Sequence, residues 1–352
     1  MRVALDASPL TLTTGGLARY TAELSAALAE NYPEDDFTLL GDRPFHMPVS
    51  ARANLTSGEL PRNPLERRWW LWGVQRAMDR SQCALFHGTN FEAPYVPVRP
   101  SVVTVHDLSP WMNPAWHYAA DRVRRRTPLI LGLRIATLII THTRAVRAQV
   151  LERFHASPSR VVAVPLAASN IFRPVGIQND LPYFLYAGTL EPRKNLDQLI
   201  EAWREVRKIS PVDLVLAGRS RADFSHPAPE PGLRLIGEVS DADLAGLYSS
   251  ALAVVYPSHY EGFGLPVLEA MQCGACVFIS QDAALREVGG DAALVLGGRA
   301  SWADAMRAAA GNPEWLGRRR EASLARAHEF SWARTARLTR EVYDEAMRRF
   351  SF

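Results

Sequence analysis

The chain has few cysteines, little net charge and no long apolar run. Three cysteines among 352 residues are too few, and odd in number, for a disulfide framework, so they indicate a reducing compartment and predict a cytoplasmic protein. Forty basic against 37 acidic residues give a net charge of +3, far from the excess typical of general nucleic-acid binding. The longest apolar stretch, residues 129–140, contains Arg134 and is shorter than the ~20 residues of a membrane span. These shortages argue against a nucleic-acid-binding or membrane-spanning protein.

The composition is instead that of a globular α/β protein with two domains. A chain of 352 residues, 47% hydrophobic and 22% charged, can bury a core in each half. Short β-branched runs alternate with segments of helical period, which predicts two doubly wound, Rossmann-like parallel sheets facing each other across a cleft. Prolines and a glycine interrupt the pattern at residues 173–182. We therefore expect an N-terminal domain (1–172), a linker (173–182), a C-terminal domain (183–333) and a closing helix (334–352).

The predicted helices and strands show which polar residues lie directly after a strand. Helices are expected at residues 18–30, 144–154, 196–207 and 334–349, with three helices closing the chain. Strands are expected at residues 3–6, 37–40, 84–87, 102–106, 137–141, 161–164, 183–187, 214–216, 233–236, 253–256 and 277–279. Ligands of such sheets bind outside the carboxyl ends of the strands, so the residues that follow each strand are the informative ones.

Two of these positions suit an anion. Gly15 and Gly16 precede a predicted helix, where small residues let backbone N–H groups approach a phosphate, although a glycine pair alone more often marks a turn. Arg193 and Lys194 follow the strand at 183–187 and precede another helix. At that strand-to-helix junction the two cations favour a diphosphate more than an ordinary solvated pair.

Two other positions suit a sugar and its nucleotide. Glu261 lies in the loop after the strand at 253–256, and Glu269 lies in the second turn of the helix that Pro266 opens. Carboxylates hydrogen-bond vicinal hydroxyls, and the open N–H groups between them suit phosphate. The apolar strand at 102–106 ends in His106 and Asp107, where a lone histidine is more often structural, but its position favours function.

At these residues the chain resembles glycosyltransferase family 4, the retaining enzymes of the GT-B fold. The runs at 186–196 and 257–274 are similar to the two best-known motifs of that family, and weaker similarity covers nearly the whole chain. The resemblance implies that Arg193 and Lys194 bind the donor diphosphate, that Glu261 contacts the transferred sugar and that Glu269 holds the ribose. It also implies that the last helix packs back on the N-terminal domain.

The resemblance implies further contacts in both domains. The predicted catalytic residues are His106, Arg193, Lys194 and Glu261. The remaining predicted donor contacts are Gly15, Gly16, Val239, Phe263, Gly264, Leu265 and Glu269. The residues expected on the acceptor side are Arg19, Tyr20 and Asp107.

Two metal-like patterns have simpler interpretations. Cys273 and Cys276 have the spacing of a zinc half-site, but only Cys83 remains to complete it, so small-residue packing is favoured. Asp241 and Asp243 spell the D-x-D of metal-dependent transferases, but with Ser240 before them they predict a helix cap. No metal and no cofactor are therefore predicted.

Two segments that combine arginines with aromatic or apolar residues are compatible with a membrane contact. Residues 122–126 contain four arginines, and Arg67 and Arg68 precede the run 69–72 with its three tryptophans. A solvated helix face is the default interpretation, and peripheral binding at the cytoplasmic membrane face is the alternative.

The sequence thus predicts a metal-independent retaining hexosyltransferase. It would move a sugar from a nucleotide-diphosphate donor, with GDP-mannose or a rhamnose donor ranked above a glucose-type donor. The acceptor would be a saccharide or a lipid-linked saccharide of a cell-surface polysaccharide. Two alternatives stay open at this point: a nucleotide-sugar epimerase on the same fold, and a non-catalytic subunit that binds the sugar nucleotide.

Overall fold

The structure is a computed structural model that describes residues 1–12, 15–49, 52–113, 116, 120–176 and 182–350. The chain forms two compact units. The first unit comprises Met1–Leu166 together with Ser331–Phe352, and the second comprises Ala167–Phe330. The predicted boundaries at 172 and 333 stay predictions, and residues 177–181 of the predicted linker lie outside the described residues.

The first unit contains a parallel sheet that, within the described ranges, has seven strands. They are β1 (Arg2–Asp6), β2 (Asp36–Leu40), β3 (Leu55–Ser57), β4 (Leu85–Gly88), β5 (Ser101–Thr104), β6 (Leu138–Thr141) and β7 (Val161–Ala163). Their order is β3-β2-β1-β4-β5-β6-β7, so the winding reverses between β1 and β4. The inner strands are buried along nearly their whole length, as expected where helices cover both faces of a parallel sheet.

Helices of the first unit come from both ends of the chain. They are α1 (Gly16–Asn31), α2 (Val74–Arg80), α3 (Ser109–Met112), α4 (Asp121–Gly132), α5 (Arg144–Phe154) and, from the C-terminus, α12 (Trp332–Arg349). The last helix packs against α1. Its Arg340 pairs with the buried carboxylate of Asp35, and the hydroxyl of Tyr343 lies 2.7 Å from Nδ1 of the buried His87. These polar contacts fix the chain end to the first sheet.

The second unit has a parallel sheet with the same reversal of winding. Its strands are β8 (Tyr183–Ala187), β9 (Asp213–Ala217), β10 (Leu233–Gly237), β11 (Ala253–Tyr256), β12 (Val277–Ile279) and β13 (Leu294–Val295). The order β10-β9-β8-β11-β12-β13 places the reversal between β8 and β11. Its helices are α6 (Leu196–Arg207), α7 (Asp241–Ser250), α8 (Leu265–Gln272), α9 (Ala283–Gly289), α10 (Gly298–Gly311) and α11 (Pro313–Ala327).

The predicted fold class of two doubly wound parallel sheets is confirmed, while several bounds differ. The strand predicted to reach residue 106 ends at Thr104, so His106 lies in the loop beyond it. The short strands β3 and β13 were not predicted, and α9–α12 follow β12 where three helices were expected. In the part of the chain that the structure describes, no helix is both long and apolar enough to span a membrane.

Candidate active site

The winding of the second sheet reverses where two chain segments meet. Arg193 and Lys194 follow β8 in a single 3-10 turn, Pro192–Lys194. Pro192 fixes the first position of that turn, and Asn195 ends it in the left-handed region, with φ 55°, before α6 begins. Glu261 lies in the loop after β11, and the N–H of His259 in that loop donates to the Arg193 carbonyl at 3.0 Å. The fold therefore joins the two motifs at the switch point where α/β sheets bind ligands.

The charged side chains at this junction form one continuous ion network. Lys194 Nζ contacts Glu261 Oε1, and Arg193 Nη1 lies 3.3 Å from Glu261 Oε2. On its other side Arg193 donates to Glu191 Oε1 at 2.7 Å, and Arg221 Nη1 lies 3.2 Å from Glu191 Oε2. Arg221 also pairs with Asp223, at 2.5 Å. Three cations thus alternate with three carboxylates, and their formal charges balance.

The Lys194–Glu261 end of the network is shielded from solvent, so its electrostatic interactions are strong. The Lys194 and Glu261 side chains are 7% and 10% exposed. Burial alone would raise the pKa of Glu261, but Lys194 and Arg193 outweigh it and hold that pKa below its usual value. Glu261 is therefore an anion at neutral pH, suited to accept hydrogen bonds from hydroxyls and not to donate a proton.

Two stacked tyrosines form the floor beneath Lys194. The rings of Tyr186 and Tyr256 are 5.5 Å apart and nearly parallel, at 19°. Lys194 Nζ lies 3.2 Å from the Tyr256 hydroxyl and 5.1 Å from the centre of its ring. Burial raises the pKa of both phenols well above the usual value, so both stay protonated. The ammonium is consequently held by one carboxylate and one aromatic ring.

The start of α8 brings the second predicted carboxylate into the same unit. Gly264 precedes α8 with φ 95°, and a Cβ there would lie 2.5 Å from Cδ2 of Leu285. Leu265 is the first residue of the helix. Glu269 is 3% exposed, and its Oε2 accepts a hydrogen bond from the Tyr248 hydroxyl at 3.4 Å.

The other predicted donor contacts lie at element ends. The ring of Phe263 is 5% exposed and meets the ring of Phe330 edge-on at 6.1 Å. Val239 is half-buried in the loop between β10 and α7. Ser240 caps α7 by accepting from the Asp243 N–H at 3.1 Å, as the sequence predicted. The described residues contain no group of three or more side chains that could hold a metal ion.

The sequence did not single out three residues that contact the predicted ones. Glu191 and Arg221 extend the ion network, and Asp282 accepts from the Glu261 N–H at 3.3 Å while it caps α9. Burial raises the pKa of Asp282. Each follows the carboxyl end of a strand, β8, β9 or β12, which is the one signal by which they could have been found.

In the first unit, Gly15 and Gly16 lie at the start of α1. Gly15 has φ 111°, a conformation that favours glycine, and among the described residues, chain neighbours aside, no atom lies within 4 Å of a Cβ placed on Gly15 or Gly16. This open space fits the predicted approach of a ligand to the backbone. Residues 13 and 14 of the same loop lie outside the described residues. Arg19 is half-buried on the first turns of α1.

Tyr20 and the first-unit histidines form a buried polar cluster. The Tyr20 hydroxyl lies 2.9 Å from Oγ1 of Thr104, which in turn lies 2.8 Å from Nε2 of His87. Tyr20 is 2% exposed. Its ring meets His106 and His142 edge-on, with centroids 5.1 Å and 4.9 Å away. Tyr20 is therefore packed among buried polar side chains, and its predicted contact with an acceptor stays a prediction.

Both ring nitrogens of His106 already have partners. Nε2 lies 2.7 Å from the Thr89 carbonyl, which accepts only from an N–H, so Nε2 carries the proton. Nδ1 lies 2.9 Å from Nε2 of His142, whose own Nδ1 lies 3.3 Å from the Val164 carbonyl. Burial lowers the pKa of His106 to about 4, so the ring is neutral at neutral pH. This arrangement argues against proton transfer by the His106 side chain, whose predicted role at the donor stays a prediction.

Asp107 turns back on its own chain. Its Oδ1 accepts from the N–H of Ser109 at 2.8 Å and from the Ser109 hydroxyl at 2.5 Å. These bonds close a turn at the start of α3. In the aromatic run next to Arg67 and Arg68, Trp69 and Trp70 are buried in a core cluster, whereas Trp72 is 45% exposed.

Comparison with known proteins matches both halves of the chain. Residues 14–168 match the family described as Glycosyltransferase Family 4, and residues 168–315 match Glycosyl transferases group 1. The O-antigen chain mannosyltransferase B of Escherichia coli is 31% identical over 97% of this chain and 99% of that protein. A D-inositol 3-phosphate glycosyltransferase of Nocardioides sp. is 30% identical over 60% of this chain and 54% of its own length. The sucrose-phosphate synthase of Thermosynechococcus elongatus shares the fold, with a TM-score of 0.75 at 20% identity over 98% of both chains.

Proposed function

The chain belongs to glycosyltransferase family 4, and from this premise we propose that it transfers mannose from GDP-mannose to a saccharide or lipid-linked saccharide. It is a metal-independent, retaining enzyme of the GT-B fold that takes its sugar from a nucleotide sugar. The choice of mannose rests on the likeness to an O-antigen mannosyltransferase over nearly the whole of both chains. The product would then belong to a cell-surface polysaccharide.

The chemistry we assign to the second unit is stabilisation of the leaving group. The bond between the anomeric carbon and the diphosphate oxygen breaks, a bond to the acceptor oxygen forms on the same face, and the acceptor proton passes to the leaving diphosphate. Charge grows on the diphosphate during this step. A cation ~4 Å away offers roughly 4 kcal/mol at an effective dielectric of 20, before desolvation. Arg193 and Lys194 are the cations proposed for this role.

The neutral charge of the network supports an exchange of partners when the donor binds. The diphosphate brings negative charge to a site where Lys194 and Arg193 are already paired with Glu261. We propose that the phosphate oxygens take over the cations and that Glu261 turns its oxygens to the sugar hydroxyls. Glu269 would bind the ribose from α8.

The test is transfer by the purified chain with EDTA present. GDP-mannose, GDP-rhamnose, dTDP-rhamnose and UDP-glucose are each incubated with p-nitrophenyl α-mannopyranoside, with a short-chain lipid-diphosphate saccharide and with inositol 3-phosphate. We expect transfer from GDP-mannose to a saccharide and an α-linked product by NMR. Transfer from another donor alone would refute mannose, and transfer only to inositol 3-phosphate would refute the saccharide acceptor. Isomerised donor without transfer would indicate an epimerase.

A peripheral membrane contact is part of the proposal. The outer side of α4 carries the exposed Arg122, Arg125 and Arg126, and Leu129 and Leu133 are 57% and 70% exposed. Basic and apolar side chains on one surface suit an anionic bilayer. Flotation with phosphatidylglycerol vesicles at low salt should carry the protein upward, and a protein that stays at the bottom would remove this contact.

A further inference from the structure

A buried carboxylate lies at the point where the winding of the first sheet reverses. Asp6 ends β1, and the hydroxyl of Thr89, directly after β4, donates to its backbone carbonyl at 2.8 Å. Thr89 is also the residue whose carbonyl accepts from His106. Asp6 therefore lies at the carboxyl edge of the two central strands, the position where doubly wound sheets bind ligands.

The two carboxylate oxygens of Asp6 have different surroundings. Oδ1 accepts from the N–H of Ser8 at 3.0 Å and from the Ser8 hydroxyl at 2.6 Å. Within the described residues, Oδ2 accepts no hydrogen bond, although Asp6 is 1% exposed. Oδ2 is not among the buried side-chain atoms that lack a partner, so it keeps a small accessible surface and can accept from a donor outside the protein. The turn that Ser8 closes therefore explains the position of Oδ1 but not that of Oδ2.

The surroundings of Asp6 favour a neutral donor over an anion. Burial raises the pKa of Asp6 to about 6, the bonds from Ser8 offset part of that rise, and Glu92 and Asp42 add to it. Glu92 and Asp42 follow the carboxyl ends of β4 and β2. An anionic group would be repelled here, and the described residues offer no metal site. Hydroxyl groups of a sugar fit an edge lined with carboxylates.

We propose that Asp6 binds the saccharide acceptor, with Oδ2 accepting a hydrogen bond from an acceptor hydroxyl and so orienting it for transfer. This inference rests on the proposed function, because the acceptor class comes from there. It adds a residue that touches substrate in the first unit, where the sequence had predicted Arg19, Tyr20 and Asp107.

The discriminating variant is Asp6→Asn. Its amide oxygen can still accept from Ser8, while the amide nitrogen replaces Oδ2 and turns an acceptor into a donor. With p-nitrophenyl α-mannopyranoside and GDP-mannose, kcat/KM for the acceptor should fall roughly 10- to 100-fold, chiefly through KM. The thermal shift produced by GDP should not change. Asp36→Asn is the matched control, because Asp36 is exposed at the opposite edge of the same sheet.

A second measurement uses the unmodified protein. Since the ionised carboxylate is the form that accepts, kcat/KM for the acceptor should fall as the pH drops below about 6, and Asp6→Asn should lack that step. The groups that act on Asp6 are Glu92, Asp42 and Ser8, and His87 on the neighbouring β4 stays neutral because burial lowers its pKa to about 3.

Binding of the glycoside by saturation-transfer NMR, with GDP present, separates this inference from the proposed function. Wild-type binding that Asp6→Asn abolishes supports the acceptor site even if GDP-mannose is the wrong donor. An acceptor KM in Asp6→Asn equal to that of Asp36→Asn would overturn it. So would equal loss of GDP binding and acceptor binding, or a wild type that binds no glycoside.

Discussion

At the scale of single residues, Lys194 has the most direct consequence for turnover. Its ammonium is held by Glu261 and Tyr256 at the junction of β8 and β11. Lys194→Ala should lower kcat roughly 10²- to 10³-fold, because one preorganised cation no longer stabilises the leaving diphosphate. The measurement is the initial rate of mannose transfer at saturating donor.

The chain provides a clean control for that variant. It contains only one other lysine, Lys208, which is exposed directly after α6. Lys208→Ala should keep the wild-type rate. Equal rates in the two variants would show that Lys194 has no part in the reaction.

Replacing Glu261 should lower the stability of the protein as well as its activity. Glu261→Gln leaves Lys194 and Arg193 with less buried negative charge, so the free energy of unfolding should drop by about 3–5 kcal/mol. The folded pKa of Glu261 lies below its usual value, so its contribution is present above the unfolded pKa of 4.5 and is lost as the pH falls through the folded pKa. Urea unfolding at pH 7 and at successively lower pH below 4.5 measures this.

The acid dependence is the part that identifies the carboxylate. The unfolding free energy of wild type should fall more steeply than that of Glu261→Gln in the acid range. Parallel curves would mean that Glu261 is already neutral in the folded protein, which is incompatible with its contacts to two cations.

At the scale of elements, the loop that enters α8 depends on one glycine. Gly264 has φ 95°, and a Cβ there would approach Leu285 to 2.5 Å. Gly264→Ala should therefore cost about 1–3 kcal/mol of stability, from backbone strain and the clash together. Thermal unfolding monitored by circular dichroism measures it.

Gly311 is the matched site for this change. It ends α10, and among the described residues outside its own helix no atom lies within 4 Å of a Cβ placed there. Gly311→Ala should leave the free energy of unfolding unchanged or raise it by up to ~1 kcal/mol, so the unfolding temperature should stay the same or rise slightly. If both variants unfold like wild type, the α8 entry is not constrained as described.

The sequence predicted elements best where local pattern and tertiary packing agree. The bounds of α5, α6, β8, β11 and β12 coincide with the prediction. The short β3 and β13 have two or three residues, too few to show a period, and are formed by pairing with a neighbour. The strand at 101–104 was predicted too long because Val105 is buried like a strand residue although it lies past the last strand pair.

The site residues that could be predicted from the sequence are those whose motifs directly follow a strand. Arg193, Lys194 and Glu261 were found because their motifs follow β8 and β11 directly. Arg221 and Asp282 also follow strand ends, but their contacts with Glu191 and Glu261 join segments that no local pattern connects. The pairing of His106 with His142 links residues 36 positions apart, and only the register of β5 with β6 brings them together.

At the scale of the whole molecule, the first unit should be the more acid-sensitive part near pH 6. It buries His87 and His106, whose pKa values burial lowers to about 3 and about 4, and His142, whose pKa is lowered as well. The stability that these neutral rings contribute is fully present above the unfolded pKa of 6.5. As the pH falls from there toward 4, each histidine lowers the free energy of unfolding by roughly 1.4 kcal/mol per pH unit.

Pulse proteolysis in urea at pH 7 and pH 5, with peptides assigned by mass spectrometry, measures this for each unit. The first unit should lose stability on acidification, and His142→Leu should show a shallower loss because one titrating ring is gone. An unchanged slope in that variant would contradict the assigned burial of His142.

The position of α12 also bears on how the protein is made. The second unit is continuous in sequence, whereas the first is completed by residues that follow it. Because domains fold as they leave the ribosome, the second unit has all of its residues available before the first one does. Until residues 332–349 have been made, the surface of α1 and the ring of His87 lack the helix that covers them. Nascent chains are therefore most exposed to chaperones and proteases through their N-terminal half.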